Sequence, residues 1–459
     1  MLGVHRLAAG GIGYYLADLT DDLPLPRGGA AGWIGRSAAN MGLDGPVDPR
    51  SLDALLHGQH PRTGHALRSP RASVHGLDLT FTVPKSISVL FALGGDGVAH
   101  HVLDAQRAGV LGAITYLEEH ALGAPRGSGD DRRILPTTGA VGAAFTHYVS
   151  RNHDPHVHTH VVMANLVQGV DGRWGACDGR GVWAHRQAAS AVYDAGVRAE
   201  LSRRLGIGWT ATHGAPVEVD GVSPHLLGEF SSRGADVRRH MAQWGARSAR
   251  GARVAWAATR PDKPRAEEFA ALTAQWVRRA SSLGLEGPVR GSIPRAGAPR
   301  EQVVDEHRFL STLSGAPDGA ARRRDLVASF GVAAVDGATA DTLARVTDLW
   351  IPPHPAHDVG VAERVHPLAS LVPGSHLLRE LGPRPLDPVA HAIWREAAKG
   401  IEDYRTRWRV SPESFSSARG STLPVHQLID RLETDHRVRE ARLQLGWRAP
   451  PVLEMDRGR

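Results

Sequence analysis

Cysteine is almost absent from the sequence. Cys177 is the single cysteine among 459 residues, which excludes an internal disulfide framework and a metal cluster built on several thiolates. Long apolar runs are also missing, because no uncharged apolar stretch approaches the roughly 18 residues that a membrane-spanning helix needs. The N-terminus shows no convincing hydrophobic region of a secretory signal. Together these absences predict a cytoplasmic protein.

Lysine is scarce as well. Only Lys85, Lys263 and Lys399 occur among the 54 basic residues, so the positive charge is carried almost entirely by arginine. The formal charge of +6 and the pI near 9.9 favour polyanionic partners, and guanidinium groups suit phosphate contacts. A GC-rich genome would produce the same arginine bias, so charge is weak evidence for nucleic acid. No lysine stands in a Gly-Lys-Ser/Thr sequence, which excludes a P-loop motor.

Histidine, by contrast, is abundant, and three of the 25 alternate in the run His156-Val157-His158-Thr159-His160. A period of two puts these imidazoles on one face of a strand, where two of them can converge on one metal ion. An antiparallel neighbouring strand that contains His147 would supply a third nitrogen ligand. Three protein ligands with open positions are typical of catalytic metal sites.

Two points about this histidine cluster stay open from the residues alone. The first is that histidines in a histidine-rich chain also cluster by chance on a solvated strand face. The apolar run Val161-Val162-Met163 indicates a buried strand and favours the metal site. The second is the role of His156, which either replaces His147 or His160 as a ligand or lines the site.

Two further features carry candidate chemistry. The adjacent Tyr14 and Tyr15 lie in a short pattern near the N-terminus, and the sequence contains only six tyrosines. A phenol is a suitable nucleophile towards a phosphodiester, although packing aromatics in a helix would look the same. Asp78 lies on the polar side of a predicted strand, opposite Leu77 and Leu79. It would orient a ligating imidazole or accept a proton, unless it is only a charge on an edge strand.

Three motifs, in this order, resemble those of the MobF (TrwC-like) conjugative relaxases, which belong to the HUH single-strand endonucleases. They are Tyr14-Tyr15, the run Gly76-Leu77-Asp78-Leu79-Thr80-Phe81-Thr82-Val83-Pro84-Lys85-Ser86-Ile87-Ser88, and His147 followed by Asp154-Pro155-His156-Val157-His158-Thr159-His160. The likeness extends through Ala191-Val192-Tyr193 and Phe230-Ser231-Ser232-Arg233. It covers about residues 1–285.

The resemblance implies an α+β protein with the HUH-type relaxase fold, a five-stranded antiparallel sheet flanked by helices. It implies a divalent metal, Mg or Mn in use with Zn, Ni or Co as alternatives, on three histidine ligands: His147, His158 and His160. The position of His156 is not a ligand in the family. Tyr14 would attack single-stranded DNA at an origin of transfer and leave a 5′-phosphotyrosyl link. Asp78 would assist the deprotonation and position a histidine.

Other roles are less constrained. Arg151, Lys85 and Arg233 are the predicted DNA contacts, and Arg151 is equally well a surface residue. Many relatives use a second tyrosine pair for a second strand transfer, but Leu16 to Arg36 holds no tyrosine. That step would therefore fall to Tyr15 or to another molecule.

Partners follow from the same resemblance. Without a motor of its own, the chain would depend on a separate helicase, on relaxosome accessory proteins and on a type IV coupling protein. Passage into a recipient cell together with the DNA is a further expectation. Two alternatives of other classes are a non-catalytic DNA-binding mobilisation protein and a metal-dependent phosphodiester hydrolase that uses water.

The predicted organisation has a relaxase domain at 1–285, a Gly/Pro/Arg-rich linker at 286–300 and a mainly helical region at 301–459. Helical patterns lie in 306–346, and 387–408 is a good amphipathic helix. The role of this region is either partner docking, DNA grip or secretion, or plain packing onto the nuclease.

Overall fold

The chain divides into two compact units, Met1–Arg300 and Glu301–Arg459, in a computed structural model. The structure describes residues 1–20, 31–69, 73–210, 217–244, 248, 269–284, 303–313, 322–350, 376–381, 387–410 and 422–446. The predicted linker at 286–300 lies outside these residues. The predicted domain limits therefore stay predictions.

The first unit contains eleven described strands and ten described helices. The strands are β1 (Leu2–Leu7), β2 (Gly32–Ile34), β3 (Gly76–Thr82), β4 (Ala124–Arg126), β5 (Arg133–Leu135), β6 (Gly142–Val149), β7 (Pro155–Ala164), β8 (Val167–Gln168), β9 (Trp174–Gly175), β10 (Trp209–Thr210) and β11 (Glu218–Val219). The helices are α1 (Ala9–Thr20), α2 (Arg36–Asn40), α3 (Pro49–Leu56), α4 (Lys85–Leu93), α5 (Asp96–His120), α6 (Arg180–Ala184), α7 (Arg186–Leu205), α8 (Pro224–Glu229), α9 (Ser232–Gln243) and α10 (Phe269–Ser282).

A five-stranded sheet in the order β1-β3-β7-β6-β2 is the centre of this unit, and every neighbouring pair is antiparallel. The predicted fold class is confirmed. Central β7 alternates as its sequence predicts, because Val157, Thr159 and Val161 are buried while the histidines between them are partly exposed. The sheet therefore has one apolar face and one face on which the partly exposed histidines lie.

The apolar face packs against the long helices α5 and α7. Gln106 of α5 is fully buried and is the polar centre of this layer. Its amide nitrogen donates to Phe81 O and to Thr159 Oγ1, and its oxygen accepts from the hydroxyl of Tyr193 on α7. These hydrogen bonds join β3, β7 and both helices, which satisfies polar groups that would otherwise destabilise the core.

The opposite face carries a second core under α1 and α3. Buried Ile12 and Tyr15 on α1 pack with Leu52 and Leu55 of α3 over Phe145 of β6. The helical period places Ile12 and Tyr15 towards the sheet. This core covers one part of the face, and the histidines of β6 and β7 lie beyond it.

The sequence predicts one long helix over 182–205 and another over 224–244, and each of them is divided in the structure. The predicted helix over 182–205 consists of α6 and α7, which meet at His185. The predicted helix over 224–244 consists of α8 and α9, separated at Phe230 and Ser231. Phe230 is fully buried, so the chain turns to bury this ring before a second, surface-lying helix begins. Apolar periodicity alone does not reveal such breaks.

The second unit is mainly helical, as predicted. Its described elements are β12 (Val303–Asp305), α11 (Glu306–Leu313), α12 (Arg323–Ala333), α13 (Ala340–Trp350), α14 (His376–Leu381), α15 (Pro388–Trp408), β13 (Thr422–Pro424) and α16 (Val425–Gln444). Asp387 caps α15 by accepting from Ala390 N at 2.8 Å. Its core includes Ile401 and Tyr404 of α15 and Val438 of α16. The sequence also predicts a loop-rich stretch at 350–373, and this stretch lies almost wholly outside the described residues.

We expect Asp435→Asn to stabilise the second unit at neutral pH. Burial raises the pKa of Asp435 to about 6 from an ordinary value of 3.8, despite Arg431 and Arg439 nearby, and Glu380 raises it further. Because the folded-state pKa lies above the unfolded value, stability is greatest below the unfolded pKa and falls as the pH rises through about 6. Asparagine removes this penalty, so unfolding free energy at neutral pH should increase by about 2 kcal/mol.

Calorimetric unfolding of wild type and variant at a series of pH values checks the prediction. The gain should vanish at acidic pH, where the aspartate is already protonated. A variant that is less stable than wild type at neutral pH would contradict it.

Within the part of the chain that the structure describes, there is no helix whose length and apolar character would allow it to cross a lipid bilayer.

Candidate metal centre and tyrosine pair

Three histidines converge on the face of the sheet that lies opposite α5 and α7. The β6–β7 register places His147 directly opposite His158, and His160 follows two residues later on the same face of β7. The ring centroids are 5.2, 5.3 and 5.6 Å apart, which makes a nearly equilateral triangle. One ring nitrogen from each lies within 4.8 Å of the other two. Among the described residues, this is the one group of such side chains that could hold a metal ion.

Hydrogen bonds fix the orientation of two of the three rings. His160 donates from Nδ1 to Asp78 Oδ1 at 2.8 Å, and His158 donates from Nδ1 to the carbonyl oxygen of His156 at 2.8 Å. In both rings Nε2 is then the nitrogen with a lone pair. A fixed tautomer of this kind is typical of metal-ligating histidines.

The protonation state of the cluster also suits a metal. Burial lowers the pKa of His158 well below its ordinary value, and the neighbouring imidazoles lower it further. Burial likewise lowers the pKa of His156 to about 4, and the charge of Lys85 acts in the same direction. Both imidazoles are therefore neutral at neutral pH, which is the form that binds a cation without first releasing a proton. His156 packs against His158 at a centroid distance of 4.6 Å but is outside the group of three.

Asp78 is the carboxylate of this site. Burial would raise the pKa of Asp78, but the hydrogen bond and charge of His160, with the hydrogen bond from Tyr15, hold the pKa below its ordinary value. Thr80 donates to the same carboxylate at 3.3 Å. Asp78 is therefore ionised at neutral pH and is not a mere charge on an edge strand, since β3 lies between β1 and β7.

The two tyrosines take different positions on α1. Tyr15 is buried, and its hydroxyl donates to Asp78 Oδ2 at 2.7 Å and lies 3.3 Å from His160 Nδ1. Tyr14 is 39% exposed, and its ring meets that of Tyr15 edge-on at 5.1 Å between centroids. Consecutive helical residues point about 100° apart, so Tyr15 faces the sheet while Tyr14 is turned towards solvent.

The predicted DNA contacts occupy unlike surroundings. Arg151 lies in the turn between β6 and β7, and Arg233 is the second residue of α9; both are partly exposed. Lys85 opens α4, and its amine donates to Pro155 O at 2.9 Å. Burial lowers the pKa of Lys85, partly offset by Asp154 and Glu218. The structure thus brings Lys85 to the backbone of the histidine strand rather than to an open surface.

Asp154 is the residue of this region that the sequence-based prediction did not single out. The Asp154-Pro155 pair indicates only a turn, yet the carboxylate is 1% exposed and bonds to Ser232 and Arg279. A buried aspartate beside two histidine-bearing strands is a signal only once the tertiary contacts are known.

Comparison with known proteins gives a consistent result. The family model of the TrwC relaxase matches residues 6–283. The multifunctional conjugation protein TraI of Escherichia coli is 36% identical over 170 residues, and TraI of strain K12 is 35% identical over the same length. These matches cover 36% of this chain but 9% of each relative, so the chain spans a small part of the curated proteins it matches.

Solved structures of conjugative relaxase TrwC resemble the chain over 62% of its length and 99% of theirs. A metal-free complex of TrwC with oriT DNA has a TM-score of 0.56 at 27% identity. A copper-bound complex with oriT DNA has a TM-score of 0.57 at 28% identity. A third is TrwC with a 27-mer DNA comprising the recognition hairpin and the cleavage site, with a TM-score of 0.55.

Proposed function

The chain belongs to the TrwC relaxase family, and from this premise we propose that it is a conjugative relaxase that nicks one DNA strand at an origin of transfer. The observation that carries the proposal is the triangle of three converging imidazoles with a tyrosine-bearing helix beside it. A site that only bound DNA would need neither the fixed tautomers nor the phenols.

The proposed ligands of a divalent metal are His147, His158 and His160. Mg or Mn is proposed in use, with Zn, Ni or Co as alternatives that imidazole ligands accept readily. When bound, the cation polarises the scissile phosphate and offsets the charge that develops on it. Asp78 keeps the Nδ1 proton of His160 in place, so that Nε2 is available to the metal. His156 is assigned to the lining of the site.

We assign the attack to Tyr14, because it is the exposed member of the pair, whereas the buried hydroxyl of Tyr15 is bonded to Asp78. Its oxygen forms a bond to phosphorus while the bond from phosphorus to the 3′ oxygen breaks. The products are a 5′-phosphotyrosyl strand and a free 3′-hydroxyl. Asp78 is assigned as the acceptor of the phenol proton, the role that the likeness to the relaxase family implies for it. Rejoining reverses the same bond changes.

We propose that Tyr15 holds α1 in place and does not act as a second nucleophile. Its hydroxyl is buried and already engaged by Asp78 at 2.7 Å. An attack by Tyr15 would require α1 to leave the sheet, whereas an anchored Tyr15 holds α1 and therefore Tyr14 in place. A second strand transfer would then fall to another protein molecule.

The charge distribution supports a DNA substrate for the first unit. Residues 1–300 hold 33 of the 54 basic residues and 26 of the 48 acidic ones, a formal charge of +7. The remaining 21 and 22 give residues 301–459 a charge of −1. Arg151 and Arg233 are proposed phosphate contacts. Lys85 is proposed to contribute indirectly, because it holds the backbone of the histidine strand close to the DNA.

Further partners are proposed from the membership of the chain in the relaxase family. One of them is a separate helicase for strand separation. Relaxosome accessory proteins and a type IV coupling protein are proposed to deliver the covalent complex. Residues 301–459 are proposed to serve such contacts, since their charge does not favour DNA.

A covalent-capture experiment tests the proposed function. A random single-stranded DNA library labelled at the 3′ end is incubated with the protein and Mn²⁺, and species that resist denaturant are enriched over several rounds. We expect a protein–DNA adduct that carries the 3′ label and disappears with EDTA. The same oligonucleotide labelled at its 5′ end should yield a shorter free strand. Cleavage without any adduct would overturn the proposal.

Replacing Asp78 tests the positioning of His160. Asp78→Asn keeps the shape of the side chain but removes the charge that holds the Nδ1 proton of His160. We expect Mn²⁺ affinity to fall by about ten-fold, as is common when a partner of a ligating histidine is lost. Calorimetric titration measures the change. Thr80→Val, which removes a longer contact of 3.2 Å to the same nitrogen, should have a smaller effect. Equal affinity in Asp78→Asn and wild type would refute the assigned role.

A further inference from the structure

The turn between the two histidine strands is held by side chains far away in the sequence. Residues 150–154 connect β6 to β7, so the turn lies within a few residues of both His147 and His158. The β6–β7 register shifts between His147 and Val149, which marks a bulge. Because a bulge interrupts the ladder, backbone pairing alone does not fix the strand spacing at this end.

Asp154 is the centre of these contacts. Its Oδ2 accepts from both the backbone nitrogen and the hydroxyl of Ser232, at the start of α9, with 2.9 Å to the nitrogen. Its Oδ1 accepts from Arg279 Nη1 of α10 at 2.9 Å. The backbone of Asp154 closes the turn on Ser150, with 2.8 Å from Ser150 N to Asp154 O. A carboxylate that is 1% exposed is thus fully bonded.

Neighbouring residues of the turn are held in the same way. The fully buried Trp276 of α10 donates from Nε1 to His153 O at 2.7 Å. Asn152 donates to Asp236 of α9 at 2.8 Å. From the other side, Lys85 donates to Pro155 O. Contacts from α4, α9 and α10 therefore converge on four consecutive residues, 152–155.

Arg279 fastens this arrangement to α8. Its Nε donates to Glu229 Oε1 at 2.6 Å, its Nη2 donates to Glu229 O, and its guanidinium carbon lies 4.9 Å from the centroid of the Phe230 ring. The guanidinium thus keeps one carboxylate partner if Asp154 is removed. Loss of Asp154 would loosen the turn without leaving an unpaired buried cation, which is the change that most often unfolds a protein.

We propose that Asp154 is a positioning residue for the three-histidine site: its buried carboxylate ties the β6–β7 turn to α9 and α10 and thereby sets the separation of His147 and His158. The proposal rests on the proposed metal role of these histidines. Helix α9 has no buried residue and carries Arg233, Arg238 and Arg239. In this proposal, α9 is attached directly to the β6–β7 hairpin that carries the histidines.

Metal titration of the full chain tests the proposal. Asp154→Asn retains the shape of the side chain. It replaces one carboxylate oxygen, which accepts hydrogen bonds, with an amide nitrogen, which donates them. We expect its dissociation constant for Mn²⁺ to rise by about ten-fold, with a folded, cooperatively melting apoprotein. Arg279→Gln should raise the constant in the same direction. Since the two substitutions share the contact between Asp154 and Arg279, their effects in the double variant should be less than additive.

A matched control separates positioning from general stability. Arg126 and Asp171 form a two-bond ion pair at 2.8 Å elsewhere in the same unit. Asp171→Asn should lower the melting temperature of the apoprotein and leave the Mn²⁺ constant unchanged. The proposal is overturned if Asp154→Asn binds Mn²⁺ like wild type, or if Asp171→Asn weakens binding equally. Failure of wild type to bind any divalent ion would instead overturn the proposed function itself.

Discussion

Tyr14→Phe should abolish the denaturant-resistant protein–DNA adduct and reduce strand cleavage by about a thousand-fold or more, as removal of a covalent nucleophile generally does. Phenylalanine keeps the ring that meets Tyr15 edge-on but lacks the oxygen that would bond to phosphorus. Because Tyr14 is 39% exposed, the substitution should leave the fold unchanged. A denaturing gel with 3′-labelled oligonucleotide measures adduct and cleavage together.

Tyr15→Phe is the matched control for this experiment. It removes the hydroxyl that donates to Asp78, so α1 loses a tie to the sheet while the proposed nucleophile remains. We expect the adduct to form at a rate lower by about ten-fold, on the scale of a lost hydrogen bond to a charged group. An adduct in Tyr14→Phe but not in Tyr15→Phe would exchange the two roles.

The same pair of variants separates the proposed transferase from a water-using hydrolase. A hydrolase that activates water on the three histidines would still cleave when Tyr14 is replaced, and neither variant would give an adduct. A non-catalytic mobilisation protein would bind DNA, but neither the wild type nor either variant would cleave it. Each class therefore has its own pattern of adduct and product.

His158→Ala should remove metal binding at the concentrations at which wild type saturates. The ring centroid of His158 is 5.2 Å from that of His147 and 5.3 Å from that of His160, and its Nδ1 is already held by the carbonyl of His156. Two remaining imidazoles cannot make the three-ligand site that a catalytic metal usually needs. We expect at least about a hundred-fold weaker Mn²⁺ binding and loss of cleavage with it. Calorimetric titration and the oligonucleotide assay check the two effects.

His156→Ala is the control, because this imidazole packs on His158 at 4.6 Å but lies outside the group of three. It should bind Mn²⁺ within a few-fold of wild type. If His156→Ala loses the metal as fully as His158→Ala, the ligand set is wrong and His156 is a member. Melting of each apoprotein shows whether a change in metal binding merely follows unfolding.

Much of the sheet could be predicted because strand period is a local property. The alternation of His156, His158 and His160 with buried Val157 and Thr159 follows from the pleat of β7 alone. The turn at Asp154-Pro155 then made an antiparallel neighbour expected, and it placed His147 in register with His158. Helix interruptions at His185 and Phe230 escaped prediction, since the apolar pattern continues on both sides of each break.

The kinds of chemistry present follow from local patterns in the sequence: imidazoles at alternate strand positions, a tyrosine pair, one acidic residue on a polar strand face and the absence of a P-loop. Long-range packing was needed to show which tyrosine is engaged by Asp78 and which is exposed, and that Asp154 ties the β6–β7 turn to Ser232 and Arg279. These contacts join residues that lie far apart along the chain. Periodicity specifies the face on which a side chain lies, whereas hydrogen bonds between residues 125 positions apart depend on how whole elements pack.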